Sequence, residues 1–487
     1  MNKRVTAAGW RQAGTRGNGP GTPGFWAQYR RKPYGMIGLG IVIVYILAAI
    51  FAPLLTPYNP MKDFYLADRM AAPSWAGSVM SRFRGAPPTF KRVIGARDWH
   101  VEEETDARLS GTQIEGEHMT VVELTPPEDD PFEQARLVSS YVIHYPYNPP
   151  QTFDIKFEYS IEAPDDASTQ LRIEFEAPDG SRRNLWRSSA WGSSDVREVT
   201  LDARDLDFKM NLGMGLFDDP ATVLFSKQGD YRLVFTASAT GSGPVAVRMS
   251  PMTFGVLGLL HGPLGADHMG ADLWAQLVYG ARLALLIGLS AALIAVAIGT
   301  SVGIISGYVG GAVDEILMRV VDVLLAIPTL PILIVLGAFL GKSVWNIVIL
   351  VAAFAWMGTA RLVRSQTLSL KERTFVEAAR AGGASAFYIM TSHILPNVLP
   401  LVFAALVLRI PAAILMEAAL SFLGLGDPSV PTWGRMLQNA RSFGAFTTLA
   451  WWWLIPPGIS LTFLSLAFVF IGNTVNEIFN PRYRERS

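Results

Sequence analysis

Cysteine is absent from the 487 residues, and so are the common catalytic signatures. The missing thiols exclude disulfides, thiol catalysis and cysteine-ligated metals. Neither a GxSxG nor an HExxH pattern occurs, and the stretch GAFLGKS at 337–343 has three residues between its glycines, where a Walker A loop has four. The chain itself is therefore not expected to hydrolyse ATP or to act as an enzyme.

Acidic residues are missing from residues 1–33, which contain seven Lys or Arg and many Gly and Pro. This composition predicts a disordered cytoplasmic tail. The apolar run at 34–56 follows at once and is about as long as a bilayer is thick. We interpret it as an uncleaved first transmembrane helix, because it is long for a signal peptide and Pro53 stands where cleavage would be expected.

Long apolar runs are missing from 57–270, and this region is predicted to be extracytoplasmic. It contains 31 acidic and 20 basic residues. Apolar and polar residues alternate here in several short runs, which predicts antiparallel strands with one solvated face. The runs are 153–161, 171–177, 231–239 and 245–249. We expect an inserted all-β domain at about 76–260, most simply a sandwich with its own core.

Apolar segments return in the region 271–480, where five further spans are expected. They are 283–306, 317–340, 344–362, 398–423 and 454–475. Six spans place both termini on one side, and that side carries most of the Lys and Arg outside the insert, which predicts cytoplasmic termini, including the tail 481–487. The basic residues lie at the ends of apolar segments and form no stripe, so nucleic acid is not an expected partner.

A polar loop at 366–396 separates two of these spans and contains the run TFVEAARAGGASAFYIMTSHILP. Thr374 and Glu377 have the spacing of a capping box, which predicts the start of a short helix. The glycine pair after it permits that helix to end, and Ser385 can start a second helix that stops before Pro396. Small side chains then leave one face of the first helix bare, which indicates a docking partner.

The same loop resembles the EAA loop of ABC importer permeases. The residues that carry the resemblance are Glu377, Ala378, Ala379, Gly383, His393, Leu395 and Pro396. The general pattern has Ile where this chain has His393, and the run HILPN is similar to the dipeptide, oligopeptide and nickel permeases. That family is also resembled by the segment at 58–74 and by the run HGPLGAD at 261–267. This chain departs from the family at two positions: Gly262 is an extra residue, and Ala271 stands where the family usually has Arg.

The resemblance implies a type I ABC importer permease fold and the role of the second, C-type membrane subunit. It further implies a second, different permease subunit, two ATPase subunits that use ATP and Mg, and an extracytoplasmic solute-binding protein, with no cofactor bound by this chain. The implied location is the bacterial or archaeal inner membrane, and the implied cargo is peptides or related small solutes. The loop residues above would couple the permease to its ATPases.

Two charged residues lie inside the predicted span at 398–423, where charge is costly and calls for a reason. Arg409 and Glu417 are eight residues apart, about 12 Å along a helix, which is too far for a direct pair. Both are candidates for the pathway or for gating. Arg409 either faces the aqueous pathway and meets a substrate carboxylate, or pairs with an acid on a neighbouring helix.

Several smaller patterns leave two interpretations open. Small residues at four-residue intervals from 295 to 307 predict close helix packing, either within the chain or across a dimer. Trp451–Trp453 is typical of an interfacial aromatic belt, with substrate stacking as the alternative. The acids near Arg319 are explained by interfacial snorkelling and a local Arg–Asp pair, with a gating contact as the alternative. His261, Asp267 and His268 could form a metal site, although the permease resemblance already accounts for them.

A different class of protein also fits part of the sequence. A membrane-anchored binding or sensing protein would recognise a ligand with the β domain and use the spans only as an anchor. A membrane-embedded hydrolase lacks a nucleophile constellation. Within the permease interpretation, we expect the insert to cap the translocation mouth and help to dock the solute-binding protein.

Overall fold

The computed structural model describes residues 25–479 except 115–116, 128–132 and 216–217. Most of the predicted tail at 1–33 and all of the tail at 481–487 lie outside the described residues. The chain divides into two compact units. One contains the described parts of Met1–Leu55, Leu277–Gln438 and Pro456–Ser487, and the other contains those of Thr56–Gln276 and Asn439–Ile455.

Sixteen α-helices occur in the described residues. They are α1 (Phe25–Tyr29), α2 (Pro33–Ile50), α3 (Ala52–Leu55), α4 (Ala76–Val79), α5 (Leu206–Asn211), α6 (Pro220–Leu224), α7 (Leu273–Val309), α8 (Gly311–Ala326), α9 (Thr329–Leu340), α10 (Val344–Ala355), α11 (Met357–Lys371), α12 (Thr374–Ala381), α13 (Ala386–Tyr388), α14 (Leu395–Phe422), α15 (Trp433–Ser442) and α16 (Trp451–Phe479). A π-helical turn, Ile389–Ile394, joins α13 to α14.

Five helical segments of the described chain are long and apolar enough to cross a membrane, and α8 with α9 makes a sixth if the pair counts as one span. The two helices of this pair meet at 88°. The predicted span at 317–340 therefore falls on two helices that meet at a sharp bend. Pro328 offers no N–H and pushes Ile327 into an extended conformation (φ −82°, ψ 128°), so the α8 helix ends there.

Glycines on α7 let its backbone touch that of the α10–α11 segment. A Cβ atom on Gly299 would lie 2.5 Å from the Trp356 carbonyl oxygen, and one on Gly303 would lie 2.7 Å from that of Ala360. A Cβ on Gly307 would lie 2.8 Å from the Thr367 Cβ. The four-residue pattern on α7 thus serves packing within the chain, the first of its two interpretations.

The described part of the second unit contains twelve strands, and all of the alternating runs lie there. They are β1 (Phe90–Ile94), β2 (His100–Thr105), β3 (Ala107–Ile114), β4 (Glu117–Leu124), β5 (Ala135–Tyr145), β6 (Thr152–Glu162), β7 (Ser168–Glu176), β8 (Arg182–Trp191), β9 (Ser194–Asp202), β10 (Gly229–Thr240), β11 (Val245–Met249) and β12 (Met252–Leu257). The four predicted strands correspond to β6, β7, β10 and β11.

The strands form two antiparallel sheets. The larger follows the order β1-β12-β6-β11-β4-β3 with β9 also paired to β6, and the smaller follows β2-β5-β10-β7-β8. One hydrophobic cluster takes side chains from both, including Phe153 and Phe157 of β6 and Leu233 and Phe235 of β10. Alternate residues of β6 face away from that cluster, which is the period of two that predicted the strand.

Filling the α7 seam should destabilise the helical unit. Gly303→Val places new atoms where Ala360 and Val363 already lie, and overpacking of this kind costs about 1–3 kcal/mol. We expect a lower free energy of unfolding, measured by denaturation of the purified chain in detergent. Gly40→Ala on α2 is the matched control, since nothing lies within 4 Å of its Cβ position. Equal stability of both variants would contradict the packing role.

Candidate functional site

The loop at 374–396 contains a short helix with a glycine end. α12 ends at Ala381, and Gly383 follows in the left-handed conformation (φ +81°). Gly383 N donates to the Arg380 carbonyl at 3.0 Å and Ala384 N to that of Ala379 at 3.1 Å. This pattern satisfies the last carbonyls of the helix, as the glycine pair predicted.

The start of α12 differs from its prediction. Arg373 has the extended backbone of an N-cap, and no side chain caps the helix. The Arg373 carbonyl accepts from the N–H groups of Val376 and Glu377, at 2.9 and 3.1 Å. The capping box was therefore wrong, because Thr374 is already inside the helix and its hydroxyl is one residue too late to cap it.

The second helix of the loop begins as predicted but does not stop before Pro396. Ser385 Oγ accepts from the Tyr388 N–H at 3.3 Å, which is an N-cap bond. The chain then continues through the π-helical turn at 389–394 into α14. Pro396 falls in the first turn of α14, a position that tolerates the missing N–H of proline.

The loop exposes its signature residues while burying its anchor. Glu377, Ala378 and Gly383 are exposed, and Ala379 is half-buried. Val376 is fully buried in a cluster with Ile304 of α7, Val363 and Leu370 of α11 and Val398 of α14. A displacement of α12 would therefore press on three of the long helical segments at once.

Aromatic side chains surround the loop, and the sequence interpretation did not single them out. Phe387 is 72% exposed and Tyr388 is 53% exposed. The His393 ring lies half-buried, with its centroid 5.6 Å from that of Tyr388 and 6.3 Å from that of Phe375. Leu395 is half-buried and Pro396 exposed. Large apolar residues within a short polar loop were the available signal for an exposed apolar surface.

Ion pairs join α8 to α11. Arg364 Nε and Nη2 each donate to an Asp314 carboxylate oxygen at 2.5 Å, and Ser306 Oγ also donates to Asp314. Arg361 pairs with Asp322. The expected local pair of Arg319 with an acid was wrong, because the partners come from α11, which lies 39 to 50 residues further along the chain.

Arg409 of α14 lines a cavity of about 160 Å³ with mainly apolar walls, among them Leu333, Val351, Phe354 and Met416. Within the described part of the chain, no carboxylate forms an ion pair with it. Gly358 lies opposite, where a Cβ would be 2.3 Å from Arg409 Nη2. One interpretation of Arg409 was an ion pair with an acid on a neighbouring helix, and the described residues contain no such pair. The other interpretation, that Arg409 faces a pathway, stays a prediction.

Glu417 lies elsewhere on α14. Its side chain is buried and accepts a hydrogen bond from Ser421 Oγ at 2.6 Å. It is not among the residues that line the Arg409 cavity. The two charges therefore stand apart, as their spacing predicted.

The motif at 261–272 forms a hydrogen-bonded turn ahead of α7. Asp267 Oδ1 accepts from the N–H groups of Met269 and Ala271, and Oδ2 accepts from Gln276 Nε2. His261 Nε2 lies 3.2 Å from Asp272 Oδ2. In the residues that the structure describes, no group of three His, Cys, Asp or Glu could hold a metal ion.

The tryptophan triplet does not form a surface belt. Trp452 is 4% exposed and Trp453 is fully buried. The Trp453 ring stacks at 5.7 Å on His268, and Trp452 packs edge-on against Phe83. The belt prediction was therefore wrong for these two, because Trp453 packs against His268 and Trp452 against Phe83, and both are buried inside the protein.

Comparison with known proteins gives this arrangement a family. Residues 299–485 match the family described as binding-protein-dependent transport system inner membrane component, and residues 24–73 match the N-terminal TM domain of oligopeptide transport permease C. The oligopeptide transport system permease protein OppC of Haemophilus influenzae is 41% identical over 221 residues, which are 45% of this chain and 70% of that protein. The chain belongs to this permease family.

Other similar proteins carry related names. The dipeptide transport system permease protein DppC of Bacillus subtilis is 35% identical over 223 residues, which are 45% of this chain and 68% of that protein. A permease chain in inward-facing structures of the MetNI methionine ABC transporter is 19% identical, with 42% of this chain and 97% of that chain covered and a TM-score of 0.34. On the family models and the two curated relatives, the permease is a multi-pass inner-membrane subunit of an ABC importer and no enzyme, and its family works with ATPase subunits and binding proteins.

The ion pair between α8 and α11 should be energetically coupled. In a double-mutant cycle with Asp314→Asn and Arg364→Gln, we expect a coupling energy of about 1–2 kcal/mol, because the bidentate pair is only 17% and 33% exposed. The measurement is unfolding of the purified permease in detergent. The Asp322–Arg361 pair, with both side chains 52% exposed, is the matched control and should couple by less than about 0.5 kcal/mol. Additive single variants at 314 and 364 would argue against the coupling.

Proposed function

We propose that the permease carries peptides or related small solutes and is driven through the loop residues Glu377–Ala379, Gly383, His393, Leu395 and Pro396. The observation that supports the coupling role is the pairing of an exposed surface with a buried anchor. A partner can reach the exposed residues Glu377, Ala378 and Phe387. The neighbouring Val376 is buried and packs against side chains of α7, α11 and α14. ATP-driven movement of an ATPase against this loop would tilt the helices and alternate access.

The assembly follows from the same proposal. A second, different permease subunit would complete the pathway, with two ATPase subunits on the cytoplasmic loops and a solute-binding protein outside. ATP and Mg would be used by the ATPases alone. The names of the relatives OppC and DppC support peptides as cargo.

The membrane arrangement belongs to the proposal as well. We take α8 and α9 as one broken span, which gives six spans with both termini in the cytoplasm and Thr374–Ala381 on the same side. The 57–270 region would then be extracytoplasmic. Its two antiparallel sheets share one hydrophobic cluster, which supports a β-sandwich for the insert at about 76–260.

Arg409 is the proposed pathway residue. An unpaired guanidinium in an apolar membrane cavity is costly, and a substrate carboxylate passing through the cavity would offset that cost. For Glu417, a gating role remains a prediction. Its bond to Ser421 gives such a role a definite contact to break.

A side chain at position 383 should uncouple ATP hydrolysis from transport. Gly383→Val forces a β-branched residue into a left-handed conformation, so the end of α12 must rearrange although the space around it is empty. With partner subunits in proteoliposomes, we expect transport to fall at least about tenfold while ATP hydrolysis continues. Gly382→Ala, at φ −73°, should behave like the wild type. Unchanged transport in Gly383→Val would refute the coupling role.

Removing the Arg409 charge should lower transport of peptides with a free carboxylate. Arg409→Ala is expected to slow these about tenfold, in line with loss of one hydrogen bond to a charged group, and to affect C-terminally amidated peptides less. Arg409→Lys keeps the charge and should retain part of the activity. Uptake of labelled peptides by proteoliposomes measures both. Intact transport of all peptides by Arg409→Ala would exclude the pathway role.

A further inference from the structure

The second unit contains a larger cleft that the coupling mechanism does not use. Its volume is about 420 Å³, within the range of small-molecule sites. Its lining includes Tyr58, Tyr65, Lys91, Asp154, Gly255 and His261. One cation, one anion and aromatic walls therefore share a single depression.

Strand register puts the two charges side by side on one face. Lys91 of β1 pairs with Gly255 of β12, and Gly255 pairs with Asp154 of β6. Residues paired across neighbouring strands point to the same face, and here it is the face away from the hydrophobic cluster. Three strands span about 10 Å, so Lys91 and Asp154 flank a position that has no side chain.

Position 255, between these two residues, must be glycine because the Asp154 carboxylate occupies the space of a side chain there. A Cβ on Gly255 would lie 2.3 Å from Asp154 Oδ1, so this oxygen leans across the glycine toward Lys91. Asp154 Oδ2 faces Lys156 Nζ at 3.7 Å. Oδ1 has no hydrogen bond from the described residues, and Lys91 has no ion pair among them.

The neighbouring acid on β9 is already satisfied. Asp202, paired with Asp154 in the register, accepts three hydrogen bonds from Arg204, one from its backbone N–H at 2.9 Å and two from its guanidinium at 3.0 and 2.7 Å. Burial acts to raise the pKa of Asp202, but the Arg204 bonds outweigh it and hold that pKa below its usual value. The carboxylate left open to a ligand is that of Asp154.

The aromatic wall is held in place by the segment that precedes the insert. Tyr65 is 63% exposed yet has a left-handed backbone (φ +59°), an uncommon conformation for a bulky residue. Its N–H donates to the Met269 carbonyl at 3.0 Å, which helps to fix that conformation. The Tyr58 ring lies 5.8 Å from that of His261. Strain kept at the rim of a cleft is typical of a binding site.

We propose that this cleft binds the two charged ends of a short peptide, with the carboxylate at Lys91 and the ammonium group at Asp154 Oδ1. The choice of a peptide rests on the proposed function. Two extended residues span about 7 Å, and the flexible, exposed Lys91 side chain can swing away from Asp154 to admit a ligand of that length between the two charges. The tyrosines then contact the side chains of the peptide, and the insert samples cargo on the permease itself.

Binding to the purified full-length permease in lipid nanodiscs tests this site. Calorimetric titrations use Ala-Ala, its N-acetyl derivative, its C-terminal amide and the neutral sugar maltotriose. We expect Ala-Ala to bind about tenfold more tightly than either blocked dipeptide, because each block removes one charged hydrogen bond. Maltotriose should show no saturable binding.

The variants assign each end of the ligand to its residue. Lys91→Gln should bind Ala-Ala and its amide equally, and Asp154→Asn should bind Ala-Ala and its N-acetyl derivative equally. Lys91→Arg should keep the preference. Gly255→Ala should weaken Ala-Ala binding, since its Cβ displaces Asp154 Oδ1. Lys209→Gln and Asp195→Asn, on the same unit outside the cleft, serve as charge-matched controls and should leave binding unchanged.

Several outcomes would overturn the proposal. These are a full preference for the free carboxylate in Lys91→Gln, tighter binding of maltotriose than of Ala-Ala, or loss of binding in Arg409→Ala instead of Lys91→Gln. Absence of Ala-Ala binding would overturn it too. The proposed transport function is measured separately, as ATP-dependent peptide uptake by the wild-type complex, so uptake without cleft binding rejects the cleft alone.

Discussion

Backbone contact between α7 and the α10–α11 segment is the constraint on which the helical unit depends. Glycine at 299, 303 and 307 brings the two backbones within van der Waals distance, and a single added methyl group would separate them. That contact fixes α11, and α11 in turn supplies Arg364 to α8 and Val363 to the cluster that holds Val376. The loop at 374–396 is therefore anchored, through Val376, to the helices that this contact holds together.

The insert depends on a different kind of constraint. Its stability comes from a hydrophobic cluster shared by two antiparallel sheets, independent of the helical packing of the other unit. The same unit also includes Asn439–Ile455, from which Trp452 packs against Phe83. The outer face of the larger sheet is then free to acquire polar function, and Lys91, Gly255 and Asp154 occupy neighbouring positions on it.

Sequence patterns predicted local features well where the cause was local. The glycine end of α12, the Ser385 cap and the strands with a strict period of two all follow from the bonding or burial of neighbouring residues. The prediction failed where a partner came from afar. The acids expected to pair with Arg319 pair instead with Arg361 and Arg364 of α11. Trp453, expected at the lipid interface, stacks on His268. The capping-box prediction placed the N-cap at Thr374, whereas α12 has its N-cap one residue earlier, at Arg373.

The sequence by itself determined that the chain is a polytopic helical permease with a β-rich insert, because hydropathy and alternation are properties of consecutive residues. It also identified the loop motif. Only the tertiary structure decided that Arg409 faces an apolar cavity without a carboxylate partner in the described residues, and that Lys91 and Asp154 flank one glycine. The physical reason is the same for both. Charges act through space, and residues 63 positions apart become neighbours only when the strands pair.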